Sequence, residues 1–321
     1  MAAYNAAPYI GEALVSLIDQ TMPDLEILVV DDGSTDETAH QVELLARRDP
    51  RIRLLQLKRN GGQSAALNAG VAQARGRYLS FLDADDEAMP SRLAEQVAAF
   101  ERDPELVLVG GSVVTRCDHA PAQSETWRYA CGDAQIRARS LFKCELISGA
   151  MTLDHEQVER HHLRFDERLR LGPDWALSFN AMRIGAVANV PSVVMRYRMH
   201  AGQATSGMLL MDDVGSDAAR LRAELLAWAG VPPTQDELRT HLAVSPCNYW
   251  AVGAHPYFQM HRGSLRDDCR RWFERLRLGS ARVGRIPAAA LEAYLDEIMA
   301  SVNACLERPV EASPPVEQQA T

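Results

Sequence analysis

Tyr78-Leu79-Ser80-Phe81-Leu82-Asp83-Ala84-Asp85-Asp86 decides how this chain is read. Tyr78 to Leu82 is a short apolar run rich in strand formers, and Arg75-Gly76-Arg77 separates it from the helical pattern before it. The run ends in three carboxylates. An ionised group loses hydration at the end of a buried strand, so three together need a reason. One reason is a shared hard cation, Mg2+ or Mn2+, which carboxylate oxygens favour. The other is a solvated turn leading into a helix capped at Asp86 or Ser91.

The sequence upstream bears on that choice. Leu25-Glu26-Ile27-Leu28-Val29-Val30 has the near-continuous apolar character of a strand covered on both faces. It stops at Asp31-Asp32-Gly33-Ser34-Thr35-Asp36-Glu37. Ser34 and Glu37 have capping-box spacing, which predicts a helix to about Arg48. The box leaves Asp31 and Asp32 unexplained. Ile52 to Leu57 is the next strand, Lys58-Arg59-Asn60-Gly61-Gly62-Gln63 a basic, glycine-rich loop, and Ser64 to Gln73 an alanine-rich helix containing Asn68 and Gly70. No Gly-Lys-Ser/Thr accompanies the glycines, so the loop reads as a strand-to-helix turn rather than a phosphate loop. At the start, Tyr4 to Ile10 reads as a loop and Ile10 to Gln20 as a helix. A loop of this kind normally follows a strand, and a first strand is expected to be missing.

Downstream, a helix is expected from near Pro90 to Arg102. A strand follows from Leu106 to Val114, with Gly110-Gly111 marking a bulge or a close backbone approach. Strand and helix alternate, which predicts a parallel, doubly wound α/β sheet. Ligands bind such sheets at the carboxyl ends of the strands. Asp31, Asp32, Asp83, Asp85 and Asp86 all fall there, and that agreement across separate strands points to a cation and nucleotide site.

The chain carries 34 Lys and Arg against 43 Asp and Glu, a net charge of −9. A diffuse acidic balance argues against nucleic-acid binding. It also means that a phosphate ligand needs a metal, an arginine or a helix N-terminus. The six cysteines (Cys117, Cys131, Cys144, Cys247, Cys269, Cys305) lack CxxC and zinc spacings, and no export signal or membrane-length apolar run is present, so a reduced cytoplasmic setting is expected.

Taken in order, Tyr4-Asn5, Val29-Val30-Asp31-Asp32-Gly33-Ser34-Thr35-Asp36, Asn60-Gly61 through Asn68-Ala69-Gly70, Gly76-Arg77-Tyr78 and Phe81-Leu82-Asp83-Ala84-Asp85-Asp86 resemble the family 2 glycosyltransferases of the GT-A fold. Order and spacing match across roughly the first hundred residues, more than a lone short motif supplies. The resemblance implies a mostly parallel nucleotide-binding sheet and an inverting transferase that uses a nucleotide-diphosphate sugar (UDP-, GDP- or dTDP-linked) with Mg2+ or Mn2+. By position, Tyr4 and Asp31 or Asp32 would hold base and ribose, and Asn5 would belong to the nucleotide-sugar site. Asn60, Gly61, Asn68 and Ala84 would belong to the nucleotide-sugar site. Asp83 and Asp85 match the Asp-x-Asp motif, with Asp85 the better match for direct metal contact.

Phe165-Asp166-Glu167 through Pro173-Asp174-Trp175-Ala176-Leu177 resembles the family's segment that ends in a Glu-Asp pair, where its catalytic base lies. Here Asp is retained and Pro173 replaces the preceding acid. Asp174 is therefore the expected general base, and it also stands where it would cap a helix from Trp175 to about Arg183. Ser148-Gly149-Ala150-Met151 falls where the family lines its acceptor pocket, though small residues also serve packing. Arg196-Tyr197-Arg198-Met199-His200, with Gln203 and Ser206, resembles the closing segment of the family. Arg198 or His200 would face the diphosphate there, and His200 is read as lying on an edge strand, where a structural role competes.

The catalytic domain is expected over 1–207, a helical region over 208–306 and a disordered tail over 307–321. Thr234 and Glu237 form a second capping-box signature. Ser264 starts a helix that Gly279 is expected to end, and Pro287 begins the last. Arg262 to Arg285 is locally basic. It reads either as a solvated helix face or as peripheral contact with the inner face of a membrane bearing a lipid-linked acceptor. The function expected is transfer of a sugar to a glycan or lipid-linked acceptor, in cell-surface polysaccharide or glycan biosynthesis. A nucleotidyltransferase and a decayed, non-catalytic nucleotide-sugar-binding module are the alternatives.

Overall fold

Ala2–Ala3 (β1), Ile10–Ile18 (α1), Ile27–Asp31 (β2), Thr38–Ala46 (α2), Ile52–Gln56 (β3) and Gln63–Val71 (α3) alternate strand and helix. β1, β2 and β3 make a parallel sheet in that order. Ile27, Val29, Val42, Ile52, Ile10 and Leu14 bury one apolar cluster against it. Each such side chain contributes about 1.5–3 kcal/mol when fully buried. The expected missing first strand is present, but only as two residues: Ala2 pairs with Val30 and Ala3 with Asp31. The computed structural model describes residues 1–117, 124–169, 172–200, 202–203, 216–245, 258 and 260–308.

The chain continues through Tyr78–Ser80 (β4), Glu87–Ala88 (β5), Arg92–Arg102 (α4), Leu106–Cys117 (β6), Thr126–Trp127 (β7), Asp133–Arg139 (α5), Thr152–Asp154 (β8), His155–Arg160 (α6), Pro173–Met182 (α7) and Ala186–Met199 (β9). A second sheet has the order β4-β8-β6-β9-β5, with β7 on β6. It is mixed: β6 and β9 run parallel, while β4–β8, β6–β8 and β5–β9 are antiparallel. The expected mostly parallel architecture is present, all-parallel in the first sheet and mixed in the second.

β9 lies between β6 and β5, but β5 pairs with it only at Met195 and Arg196; past these its C-terminal end pairs with β6 alone, and His200 follows its last residue. The glycine pair on β6 behaves as expected. A Cβ on Gly110 would lie 2.2 Å from Asn189 Oδ1, and one on Gly111 2.6 Å from Val194 Cγ1. Register shifts flank Ser112, between Gly111 and Val113.

The Ser34–Glu37 capping box does not form. α2 begins at Thr38 with Glu37 at its N-cap, and Ser34 Oγ instead accepts the Asn5 N–H at 3.0 Å. A tertiary partner has displaced the local one.

The chain divides into two compact units, Met1–Leu225 and Leu226–Thr321, with the break inside Asp217–Trp228 (α8). The expected boundary at residue 207, Ser206 and residues 309–321 of the tail lie outside the described residues. The second unit holds Gln235–Val244 (α9), Leu265–Val283 (α10) and Ala288–Glu307 (α11). Here the capping box does form, between Thr234 and Glu237. Gly279 does not end its helix. α10 runs through it to Gly284, and a Cβ on Gly279 would sit 2.5 Å from Val231 Cγ2, so the glycine allows a close crossing. Arg270, Arg271, Arg275 and Arg277 pair with Asp267, Asp268, Glu237 and Glu292. This pairing favours the reading of the basic run as a solvated, ion-paired face. No described helix is long and apolar enough to cross a membrane.

Candidate active site

The ends of β1 and β2 are stitched to neighbouring loops. Asn5 takes a left-handed conformation (φ 48°), which Asn tolerates better than most residues. Its Oδ1 accepts the Thr35 N–H at 2.9 Å. Asp31 Oδ1 accepts the Ser34 N–H at 3.1 Å. Buried Asp32 uses both carboxylate oxygens at 2.8 Å on the N–H groups of Gly61 and Gly62. Gly33 (φ 75°) has to be glycine, since a Cβ would stand 3.0 Å from the backbone at Arg59 and Asn60. Asn60 and Gly61 thus lie against the Asp31–Gly33 turn, and Tyr4 projects nearby, 49% exposed.

The acids after β4 form a second cluster. Asp83 Oδ1 accepts from Gln63 Nε2 at 2.9 Å. Ala84 is buried in the apolar cluster of the first sheet, which anchors the turn between the acids. Asp85 Oδ2 lies 3.0 Å from His200 Nε2. Asp86 Oδ1 accepts the Arg198 N–H at 2.9 Å, while its buried Oδ2 has no hydrogen-bond partner among the described residues. Burial, reinforced by the charges of Asp85 and Asp174, pushes Asp83 up to about 7. Burial, then the charges of Asp83 and Asp85, holds Asp86 well above the carboxylate range.

Behind them Arg92 is 1% exposed. Its Nη2 donates to Phe81 O at 2.6 Å, and its charge opposes those of Asp86 and Asp83. Burial pulls Arg92 down to about 10. An arginine on the apolar face of α4 carries no motif, so sequence reading passed over it.

Asp174 stands in the first turn of α7, after Pro173 and a left-handed Gly172. Its Oδ1 accepts the Trp175 N–H at 2.9 Å, and the Ser148 backbone N–H also favours its charged form. Burial outweighs both and raises its pKa. The helix start thus holds the carboxylate in place while poor solvation keeps it basic. Gly149 lies against the acids: a Cβ there would come 2.8 Å from Met195 Sδ and 3.3 Å from Asp83 Oδ2. The Ser148–Met151 segment therefore lies against the acids, a placement that its composition alone did not reveal.

Two expected ligand contacts have other partners. Arg198 is 4% exposed; its guanidinium donates to Glu12 Oε2 at 2.6 Å and to Asp85 O at 2.9 Å, and stacks over Tyr9. Asn68 joins α3 to the segment after α6, donating to Phe165 O and accepting from Phe165 N, both at 2.9 Å. Both residues position other parts of the site. Glu12, in the first turn of α1, anchors Arg198.

Whether a divalent metal fits can be judged from the donors. Among the described residues, no three His, Cys, Asp or Glu side chains converge on one point. Asp85 and His200 do converge, and the next residue, Asp86, has a buried oxygen with no hydrogen-bond partner among the described residues. Mg2+ and Mn2+ commonly bind through one or two protein groups plus substrate phosphates, and a carboxylate with an imidazole suits Mn2+. The residues fit a metal shared with a diphosphate.

A parallel α/β sheet whose strand ends carry the Asp31–Asp32 turn, with a carboxylate–imidazole pair and a half-buried carboxylate at a helix start beside it, has the layout of the GT-A fold. The model of the glycosyl transferase family 2 matches residues 1–154. The succinoglycan biosynthesis protein ExoO of Rhizobium meliloti is 33% identical over 238 residues, 71% of this chain and 68% of that protein. An uncharacterized glycosyltransferase of Haemophilus influenzae is 31% identical over 211 residues, 64% of this chain, which spans 65% of that relative's length. The chain belongs to the family 2 glycosyltransferases. The crystal structure of S. aureus TarS 1–349 with UDP-GlcNAc shares the fold, with a TM-score of 0.58 at 18% identity, covering 95% of this chain and 88% of that one.

Proposed function

We propose that the chain is an inverting glycosyltransferase that moves a sugar from a nucleotide diphosphate to an acceptor hydroxyl during polysaccharide or glycan assembly. The observation that carries this is the placement of Asp174, half-buried at the start of α7 with its pKa raised, within electrostatic reach of Asp83. Relatives named for succinoglycan, chondroitin and teichuronic acid synthesis support the assignment to polysaccharides. The TarS complex supports a nucleotide-sugar donor.

In this reading Asp174 accepts the proton of the acceptor hydroxyl as its oxygen bonds to the anomeric carbon. The bond from that carbon to the diphosphate oxygen breaks on the opposite face, the nucleoside diphosphate leaves with the electron pair, and the anomeric centre inverts. Tyr4 offers a face to the base, and the Asn5–Thr35 and Asp32–Gly61 bonds hold the pocket rim. Asp85 and His200 would hold Mg2+ or Mn2+, which neutralises charge on the departing diphosphate. Arg198 and Arg92 hold the acid loop in register.

The test is release of nucleoside diphosphate from UDP-, GDP- and dTDP-sugars, with and without Mn2+, for the parent and Asp174→Asn. Metal-dependent release that the variant loses supports the proposal. Nucleotide binding without release on any acceptor, consistent with the acid replaced by Pro173, would assign a non-catalytic binding module instead.

A further inference from the structure

Glu12, Ser16 and Gln20 are four residues apart, so they share one face of α1 and of the turn that follows it. That face meets the acid loop. Glu12 Oε2 accepts from Arg198 Nη2 at 2.6 Å, and the same guanidinium donates from Nε to Asp85 O at 2.9 Å. Ser16 Oγ accepts the Ala88 N–H at 2.9 Å, its own proton being held by Ala13 O. Buried Gln20 donates from Nε2 to Met89 O at 2.8 Å and accepts the Leu93 N–H at 3.1 Å. Thr21 N–H donates to Pro90 O at 2.9 Å. The chain over 85–93 is thus fastened along the face of one helix.

The imidazole of the carboxylate–imidazole pair rests on the same helix. Tyr9, at the N-cap of α1, has its ring centroid 4.6 Å from that of His200, and the Arg198 guanidinium lies 5.2 Å over it. Just upstream, the Ala6 N–H donates to Thr38 Oγ1 at 2.8 Å and the Ala7 N–H to Asp36 Oδ2 at 3.1 Å. Residues 6–21 therefore join the segment after β2 to the acid loop after β4. The polar bonds are not what attach the helix, since Ile10 and Leu14 already bury its apolar face in the cluster of the first sheet. What the bonds add is position. Asp85 and His200 both lie on irregular chain, past the ends of β4 and β9, where backbone shifts unless a rigid element holds it.

We propose that Tyr9, Glu12, Ser16 and Gln20 are positioning residues for the metal site. Glu12 acts through Arg198 on the Asp85 backbone, Ser16 and Gln20 act through the chain that follows it, and Tyr9 acts on the His200 ring. Together they hold carboxylate and imidazole side by side before a nucleotide arrives. The inference rests on the reading of Asp85 and His200 as the metal-holding pair. Partners that orient a metal ligand without touching the ion commonly govern its affinity by about 10–100-fold.

The test is the Mn2+ concentration that half-saturates the nucleotide-induced rise in Tm, with UDP, GDP or dTDP as the probe. Glu12→Gln keeps an acceptor and removes the charge. It is expected to raise that concentration by about 10–100-fold, with the full shift restored at saturating Mn2+. Ser16→Ala, which removes a single acceptor, raises it by a smaller factor and carries the test if Glu12→Gln fails to fold. Ile136→Val loosens the buried core at α5 without touching α1 and leaves the Mn2+ requirement unchanged. An unchanged requirement in both α1 variants, with Asp85→Asn still abolishing the shift, would overturn this inference alone. So would a rise in Ile136→Val equal to theirs, because lost stability would then explain it. No Mn2+-dependent shift in the parent, or a shift that Asp85→Asn keeps, would overturn the metal reading and this inference with it.

Discussion

Asp85 Oδ2 meets His200 Nε2 at 3.0 Å across 115 positions of chain. Asp85 comes from the turn after β4, and His200 from the first position past β9. The antiparallel pairing of Glu87 with Arg196 and Ala88 with Met195 sets them side by side. Arg198 then locks the register through Asp86, Asp85 O and Glu12. The pair is a product of sheet topology, and its geometry suits a metal held between protein and diphosphate.

Asp85→Asn keeps the shape of the side chain and removes the charge. Turnover is expected to fall about 100-fold or more, equivalent to several kcal/mol of lost charge stabilisation. Tm should change by less than about 2 °C, since the group is half-buried and keeps a hydrogen-bonding amide. Steady-state release of nucleoside diphosphate measures the first and calorimetry the second. Near-parental turnover would remove Asp85 from the site.

Asp174→Asn should lower kcat by about 10²–10⁴-fold, the usual contribution of a positioned base. The fold is retained, because Asn still accepts from the Trp175 N–H. Burial raises the Asp174 pKa. The protonated form cannot accept a proton, so kcat/KM should fall with decreasing pH at values above the usual carboxylate pKa of about 4. A profile flat down to pH 4 would contradict this assignment.

Asp83 gives a stability signature of opposite direction to a salt-bridged acid. Its folded pKa is raised to about 7, so the folded state binds the proton more tightly than the unfolded chain. Its contribution is full below about pH 4, where unfolded Asp is also protonated, and is lost as pH rises through about 7. Without metal or nucleotide, the parent should lose about 1–3 kcal/mol relative to Asp83→Asn between pH 5 and pH 8. Urea unfolding at the two pH values checks it. Equal pH dependence in both proteins would rule out the shift.

Arg92→Met leaves Phe81 O and the buried acids without their cation. Removing one partner of a buried charged set costs about 3–5 kcal/mol, so Arg92→Met should destabilise by about 3 kcal/mol or more in the same urea experiment. A loss below about 1 kcal/mol would show that solvent or relaxation compensates.

The strand-tip acids, the Asn60–Gly61 loop and the first parallel sheet were legible because local patterns carry them: apolar runs, capping residues and glycines. Roles set by distant partners were not. Ser34 and Thr234 carry the same capping signature, yet only Thr234 forms the box, because Asn5 captures the Ser34 hydroxyl. Asn68 and Arg198 were read as site residues from their motifs, but their atoms bind Phe165 and Glu12, contacts that span 97 and 186 positions. Arg92 had no motif at all, since nothing in a helical apolar face announces a buried cation. The length of β1 depended on pairing that sequence does not display.

Thermal unfolding with UDP, GDP, CDP or dTDP, each with Mn2+ or with EDTA, tests the central claim most directly. A ligand that binds only the folded state raises Tm by mass action, about 2.7 kcal/mol at a hundredfold excess over Kd. The account predicts a shift with one nucleotide in Mn2+, lost in EDTA and lost in Asp85→Asn. A well-folded protein that shows no shift with any of them would contradict it.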